Sequence, residues 1–528
     1  MLNIELQNQL HQIIQEIYSD NPEILEFIRT KGAKIEYPRE TKFGDYSTPV
    51  SMQLSKVLKK NPIEIGEKIA ESLSGNTAYQ KVEVVKPGFI NVFLSETSML
   101  EELGKIRELG EKYSQPGKNG QKIIFEYVSA NPTGPLHIGH ARWAALGDTL
   151  SRLLKWAGYE VYREFYVNDA GVQVENLNKT VSALKKREPI PEDGYHGEYV
   201  KDCLDYDGEP IDFFLNEQKE TLAKFRVKFD NYFSEKKELH NPGRVAQTVE
   251  VLKQMGLTYD NENALWFHSE KFGDDKDRVL IKSDGSYTYF APDIAYHKIK
   301  IDRGFHRIIN FFGADHHGYI KRIKAAVDAL SEKKVQFDVI IGQLVFLFRN
   351  GEPVKLSKRS GAIITLEEVM EEIGVDAMRY FLTMRKADTP LEFDIELAKS
   401  QSSDNPVFYI QYAFARMSSI LKKVKEKNVN MTLQFKPEKM NEFERNLVVK
   451  ALKYPEELMD AAQALEPHRV TNYLYDMTAL FHRFYEECKV IDEENDNLTQ
   501  QRLYIVFAIR QCLETLLGLL GVHAPERM

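Results

Sequence analysis

The chain has 528 residues, 43% apolar and 28% charged, with 30 glycines and 20 prolines. That ordinary globular balance excludes collagenous, coiled-coil and disordered classes, and at ~150 residues per domain it predicts three or four domains. A net charge of −9 excludes the global positive field of a DNA-coating protein, so any nucleic-acid contact must rest on local patches and shape.

In the first 95 residues, Leu6, Leu10, Ile13, Ile14 and Ile17 repeat at helical spacing, and Val82 to Leu94 reads as a strand pair broken at Pro87-Gly88. This predicts a small α+β domain, closed by the linker-like Gly110 to Gly120. A strand follows at Ile123 to Ala130, then the turn sequence Asn131-Pro132-Thr133-Gly134-Pro135. Trp143, Leu146, Leu150, Leu153 and Ala157 next give a helix, and Glu160 to Val167 returns to strand pattern. Strand, turn, helix and strand form a βαβ unit, the opening half of a nucleotide-binding sheet. From about Asn176 to Lys282 the pattern is charged and mostly helical, which predicts an insertion. Strand signals resume at Arg278 to Ile281, Ile308 to Phe312 and Val339 to Phe348. Beyond Leu397 the chain reads as helical, with Val407, Ile410, Phe414, Met417, Leu421 and Val424 forming an amphipathic stripe. The predicted class is α/β: a Rossmann-type parallel-sheet catalytic domain (116–396), an N-terminal α+β domain (1–115) and a C-terminal all-helical bundle (397–528).

Cys203, Cys488 and Cys512 lie far apart with no CxxC pair, against a disulfide framework or a cysteine zinc site. The start, MLNIELQNQLHQ, lacks the basic and apolar parts of a signal peptide. No run approaches the ~18 apolar residues of a spanning helix, so a cytoplasmic chain without membrane contact is expected.

Two segments carry chemistry. In NPTGPLHIGHAR (Asn131 to Arg142) a strand empties into a turn, and His137 and His140 sit where a helix begins. Free N–H groups and positive potential gather there, so phosphates settle at such ends. Gly139 allows close backbone approach, and the histidines can donate hydrogen bonds to phosphate oxygens as charge moves. A zinc pair would need two further ligands, and the turn offers none. In VKLSKRSGAIIT (Val354 to Thr365), Lys355 and Lys358 flank Ser357 in a loop that could close over a departing pyrophosphate. Alone it reads as a basic surface loop. Its place 215 residues beyond His140, after the second set of strands, favours the functional reading.

Together these segments resemble the HIGH and KMSKS signatures of class I aminoacyl-tRNA synthetases. FGDYSTPVSMQLSK (Phe43 to Lys56) and VKPGFINVFLS (Val85 to Ser95) resemble the N-terminal additional domain of the arginyl-tRNA synthetase family. DAMRYFLTMRKADTPLEFDIELA (Asp376 to Ala398), VFYIQYAFARMSSIL (Val407 to Leu421) and the closing GVHAPERM are similar to that family's anticodon-binding region. The likeness spans most of the chain, with the insertion least diagnostic.

The resemblance implies that arginine is activated by ATP with Mg²⁺ and passed to tRNA(Arg), with no zinc and no DNA partner. His137 and His140 would stabilise the α-phosphate region, while Lys355 and Lys358 hold pyrophosphate. Pro132, Gly134, Gly139, Gly313, Asp315 and Ser357 would complete the ATP site. A guanidinium is planar and permanently charged, so carboxylates that accept its fork separate it from lysine. That demand does not choose among 79 acidic residues; by the resemblance, Glu126, Asn131, Tyr289 and Asp293 fall on arginine-pocket positions. In GADHHGYIKR (Gly313 to Arg322) other branches of the family carry glutamine where this chain has Asp315, His316 and His317. The resemblance does not decide among the three, which could also suggest a metal.

For tRNA, the outer face of the Val407 helix shows Tyr409, Tyr412, Arg416 and Lys423, residues suited to stacking on splayed bases. The family places anticodon contacts on this helix and at the chain's end, which implicates Tyr409, Arg416 and Met528. Phe89 and Asn91 match positions that read the tRNA D-loop. From residue 401 onward, 16 basic residues face 18 acidic ones, so this domain is no basic clamp. A monomer suits such a chain. The rival readings are a small-molecule nucleotidyltransferase, a cysteinyl-type class I synthetase, and a catalytically silent tRNA-binding paralogue.

Overall fold

Leu6, Leu10 and Ile14 are buried on one face of the helix Leu2–Ile17, as their spacing requires. In the computed structural model, which describes residues 2–38, 40–113, 115–354, 364–426 and 435–528, that helix belongs to a small α+β unit. Its sheet is antiparallel and three-stranded, with Phe89–Leu94 between Tyr46–Thr48 and Tyr79–Val85. Pro87-Gly88 makes the turn between the two longer strands.

The central sheet has five parallel strands: β1 (Lys122–Glu126), β2 (Glu160–Val167), β3 (Asn231–Ser234), β4 (Arg307–Gly313) and β5 (Gln336–Gly342). Their spatial order is β5-β4-β1-β2-β3. Ile123, Ile124 and Phe125 of β1 are all buried, because a parallel strand is covered on both faces. The chain leaves β1 through the helix Ile138–Trp156 to β2 on one side, while β4 lies on the other. The strand order therefore reverses between β1 and β4, and the crevice at their carboxyl ends is where such sheets take ligands.

Two segments differ from the sequence reading. The stretch 176–282 is helical at first, in Val172–Lys186 and Pro210–Lys224, but it also supplies β3 and the strands Thr258–Asn261 and Ala264–Phe267, which join the expected strand Arg278–Ile281 in a small antiparallel sheet. Strands of four residues between charged flanks carry too little alternation to announce themselves. The apolar run Val339 to Phe348 divides after Gly342: its second half, Val345–Arg349, pairs with Glu352–Pro353 and Leu391–Asp394. A Cβ on Gly342 would lie 2.4 Å from both Phe311 and the Trp143 indole nitrogen, so the turn there needs glycine.

The C-terminal region is a bundle of Pro406–Glu426, Glu442–Ala464, His468–Glu487 and Asp496–Leu520. All six residues of the Val407 stripe are buried. The expectation that no run has the apolar character of a spanning helix is corrected by Asp496–Leu520, which has the length and composition to cross a membrane. Two thirds of its apolar window (67%) is buried. It packs on the other three bundle helices and on Glu96–Leu109, and a helix enclosed on that many sides is apolar all round.

Candidate active site

Directly after β1 the backbone turns through Val128 and Ser129, both at positive φ (68° and 40°), a conformation that side chains resist. Hydrogen bonds hold it: Ser129 Oγ donates to Glu126 Oε1 (3.1 Å) and accepts from the Tyr166 N–H (3.1 Å). The chain then passes the Asn131–Pro135 turn and enters its helix at His137.

His137 is the N-cap of Ile138–Trp156. The Gly139 N–H donates to His137 Nδ1 (3.2 Å), and the His137 N–H donates to His140 Nδ1 (3.3 Å). The two rings stack with centroids 3.8 Å apart. Since each Nδ1 accepts a backbone proton, each neutral ring carries its hydrogen on Nε2. Both histidines line a cavity of about 680 Å³ with Asn131, Thr133, Gly134 and Gln173. Its far wall is the insertion segment Glu192 to His196, with Tyr199. A helix start with two ring donors at its mouth is suited to phosphate.

A second cavity, of about 240 Å³, opens in the β1/β4 crevice and is lined by Glu126, Tyr166, Asp293, Tyr296, His297, Asn310 and Tyr319, among others. Glu126 and Asn310 are register partners on β1 and β4. Fully buried Lys300 ties them together, donating to Glu126 Oε2 (2.6 Å) and Asn310 Oδ1 (3.0 Å). The Asn310 amide in turn donates to His297 Nε2 (2.9 Å), whose Nδ1–H donates to the Asp293 carbonyl (2.8 Å). Burial pushes the His297 pKa down to about 3, so the ring is a neutral relay in this chain.

Asp293 receives the hydroxyl of Tyr319. Burial pushes its carboxyl up to about 7; the Tyr319 bond opposes that rise, and the Glu126 charge adds to it. Lys300 thus pairs with Glu126, while Asp293 has the Tyr319 hydroxyl as its partner.

The predicted residues divide accordingly. Glu126 and Asp293 share the smaller cavity, while Asn131 lines the larger one and donates to Gln173 Oε1 (2.7 Å). Tyr289 joins neither: it precedes the helix Phe290–Asp302 with 91% of its surface exposed. Gly134 lines the larger cavity, Pro132 is buried, and Gly313 closes β4. A Cβ on Gly139 would crowd the His137 ring at 3.1 Å. Lys355, Ser357 and Lys358, and the side chains of Asp315, His316 and His317, lie outside the described residues. Beyond the 355–363 segment, Thr365 forms a β-bridge with His137, and the Leu366 N–H donates to the Leu136 carbonyl (2.7 Å). The chain that follows this segment therefore lies beside the histidine turn.

Sequence reasoning missed Lys300, His297 and Asn310. A signal existed, since His297 and Lys300 follow Asp293 by four and seven residues on one helical face.

Away from the crevice, Tyr409 stacks on His482 at 4.3 Å, and with Phe408 and Tyr412 they line an aromatic groove of about 270 Å³. Arg416 lies over the Tyr485 ring at 4.9 Å, and Met528 is 57% exposed. Asn91 lies on the middle strand of the N-terminal sheet. It is 1% exposed and accepts from Ser47 Oγ (2.8 Å), its register partner; Phe89, at the strand start, is half-buried.

Three family models match the chain. They are the arginyl tRNA synthetase N terminal domain (residues 5–94), the class I (R) tRNA synthetase catalytic domain (103–240 and 212–389) and the DALR anticodon binding domain (410–528). The chain is 46% identical over 525 residues to arginine–tRNA ligase 1 of Halalkalibacterium halodurans, covering 94% of each. It is 43% identical over 523 residues to the arginine–tRNA ligase of Bacillus subtilis, again covering 94% of each. Its fold matches that of the Thermus thermophilus arginyl-tRNA synthetase with a TM-score of 0.78 at 22% identity, over 100% of both chains.

Proposed function

The chain belongs to the arginyl-tRNA synthetase family of class I, and from that premise we propose which residues carry its arginine–tRNA ligase reaction. ATP enters as its magnesium complex and lies in the larger cavity, its α-phosphate toward the helix start at His137. The arginine guanidinium enters the smaller cavity between Glu126 and Asp293, which orients the amino-acid carboxylate toward that phosphate. The carboxylate oxygen attacks phosphorus in line, a new P–O bond forms, and the bond to pyrophosphate breaks. His137 and His140 offer Nε2 hydrogens to the charge that develops. Lys355 and Lys358 hold the leaving pyrophosphate, with Ser357 in the same loop. A ribose hydroxyl of the terminal tRNA adenosine then attacks the arginyl carbonyl, and AMP leaves.

The observation that carries this reading is the pairing of Glu126 and Asp293 in one cavity, with Glu126 only five residues before the turn that begins at Asn131. In this reading Tyr289 and Asn131 close over arginine once it is bound. Asp315 lies at the ATP side, and Tyr409, Arg416 and Met528 contact the anticodon, while Phe89 meets the D-loop. The domains divide at about 115 and 396, and the enzyme acts as a cytoplasmic monomer. Charging total tRNA with each labelled amino acid, ATP and Mg²⁺ tests the whole. Label with arginine alone is expected. Label with cysteine would refute the pocket, and no label with intact ATP binding would mean a silent paralogue.

A further inference from the structure

The insertion helix Pro210–Lys224 reaches the phosphate-binding turn with two residues of one face. Gln218 is 1% exposed, and its amide nitrogen donates to both the Asn131 carbonyl (3.1 Å) and the Gly134 carbonyl (2.8 Å). Carbonyls only accept, so the orientation of that amide is fixed by its partners. One helical turn earlier, Phe214 meets the Tyr199 ring edge-on at 5.7 Å. Tyr199 in turn lies against Gly134, where a Cβ would be 2.7 Å from its ring. Residues four apart share a helix face, so one face props Gly134 from its side and holds its carbonyl. At the end of the same helix, Lys224 pairs with Glu367. Glu367 sits in the first turn of Leu366–Ile373, the helix that follows the 355–363 loop.

We propose that Gln218 is a positioning residue for ATP: by drawing two carbonyls of the Asn131–Gly134 turn to one amide, it sets where the turn and His137 meet the α-phosphate. The insertion thereby acts as a strut between the histidine turn and the helix Leu366–Ile373. This rests on the assignment of ATP to the larger cavity. A residue that touches no substrate acts through geometry, and misplacing a reacting group by about 1 Å costs about 10²-fold in rate.

The test is arginine charging of tRNA(Arg) by Gln218→Met, which keeps the length of the side chain and removes both donors. Gln218→Asn, which keeps the amide but withdraws its reach, serves as the second variant. The expected result is a fall of about 10²-fold in kcat/KM for ATP, with KM for arginine and for tRNA unchanged and the melting temperature held. ATP parameters equal to wild type in either folded variant would overturn the proposal. So would ATP and arginine KM rising together with a lowered melting temperature, the mark of a merely structural role. A wild-type enzyme that charges no tRNA with arginine would instead overturn the ligase reading beneath it.

Discussion

Arginine affinity should depend on pH through Asp293. In the ligand-free protein burial holds this carboxyl near pKa 7, far above the ordinary aspartate value of ~3.9. An adjacent guanidinium favours the charged form and lowers that pKa, so the complex holds fewer protons than the free protein. By linkage, affinity then rises with pH up to about 7 and levels off above it. From pH 8 to pH 6 the ionised fraction falls about tenfold, so the arginine Kd should rise about tenfold, or ~1.4 kcal/mol. The fold itself responds in the opposite sense. A carboxyl raised above its unfolded value contributes stability that is present at acid pH and is lost as pH rises through 7, and arginine restores what is lost. The assay is calorimetric titration of arginine in two buffers of different ionisation enthalpy, which reads affinity and proton release together. Asp293→Asn should bind more weakly at pH 8 and lose the pH dependence, which separates Asp293 from the arginine α-amino group. A wild-type Kd flat between pH 6 and pH 8 would refute the reasoning.

His140→Ala should lower the charging rate about 10²-fold with the fold intact, as for loss of one oxyanion donor; unchanged turnover would remove its role. Lys300→Met leaves Glu126 buried without its cation, so it should cost about 3–5 kcal/mol in denaturant unfolding, and a loss under 1 kcal/mol would show that the pair is not structural. Tyr409→Ala should raise the tRNA KM by about tenfold, the loss of one base stack, while ATP and arginine constants stay put. A normal tRNA KM would return Tyr409 to the role of a bundle residue.

The βαβ opening, the histidine turn and the helical C-terminal region could all be read from the chain, because each rests on local spacing: Trp143 to Ala157 at helical period, and Pro and Gly at fixed turn positions. Elements that depend on distant partners could not. Asn231–Ser234 is a strand beside β2, and Val339 to Phe348 divides at Gly342, where Trp143 and Phe311 leave no room for a side chain. The same division runs through the site. Glu126 and Asp293 came from resemblance, yet Lys300 and Asn310, which hold Glu126 in place, are brought to it by sheet register and helix packing. Asn91 is likewise placed by register: on the middle strand of its sheet, its side chain is buried against Ser47.

The helix that starts at His137 is tied down at both its start and its middle. Four residues into it, buried Arg142 donates to the carbonyls of Gln343 (3.0 Å) and Lys386 (2.9 Å), which anchors the helix start to the chain leaving β5. Asp148, further along, accepts from fully buried Arg379 (2.5 Å), which also donates to the carbonyls of Phe225 (2.9 Å) and Leu520 (2.7 Å). Gly521 follows at φ 66°, where a Cβ would come within 2.6 Å of the Arg379 guanidinium. One guanidinium thus joins the catalytic helix, the insertion and the end of the bundle. A buried cation of this kind gains little net stability over an apolar side chain of equal volume. Its fixed donors specify one arrangement of three segments far apart in sequence, and a site that discriminates by geometry needs such a support. The histidines begin a helix whose middle, at Asp148, is tied by Arg379 to the insertion and the bundle, so their aim is supported well away from their own turn.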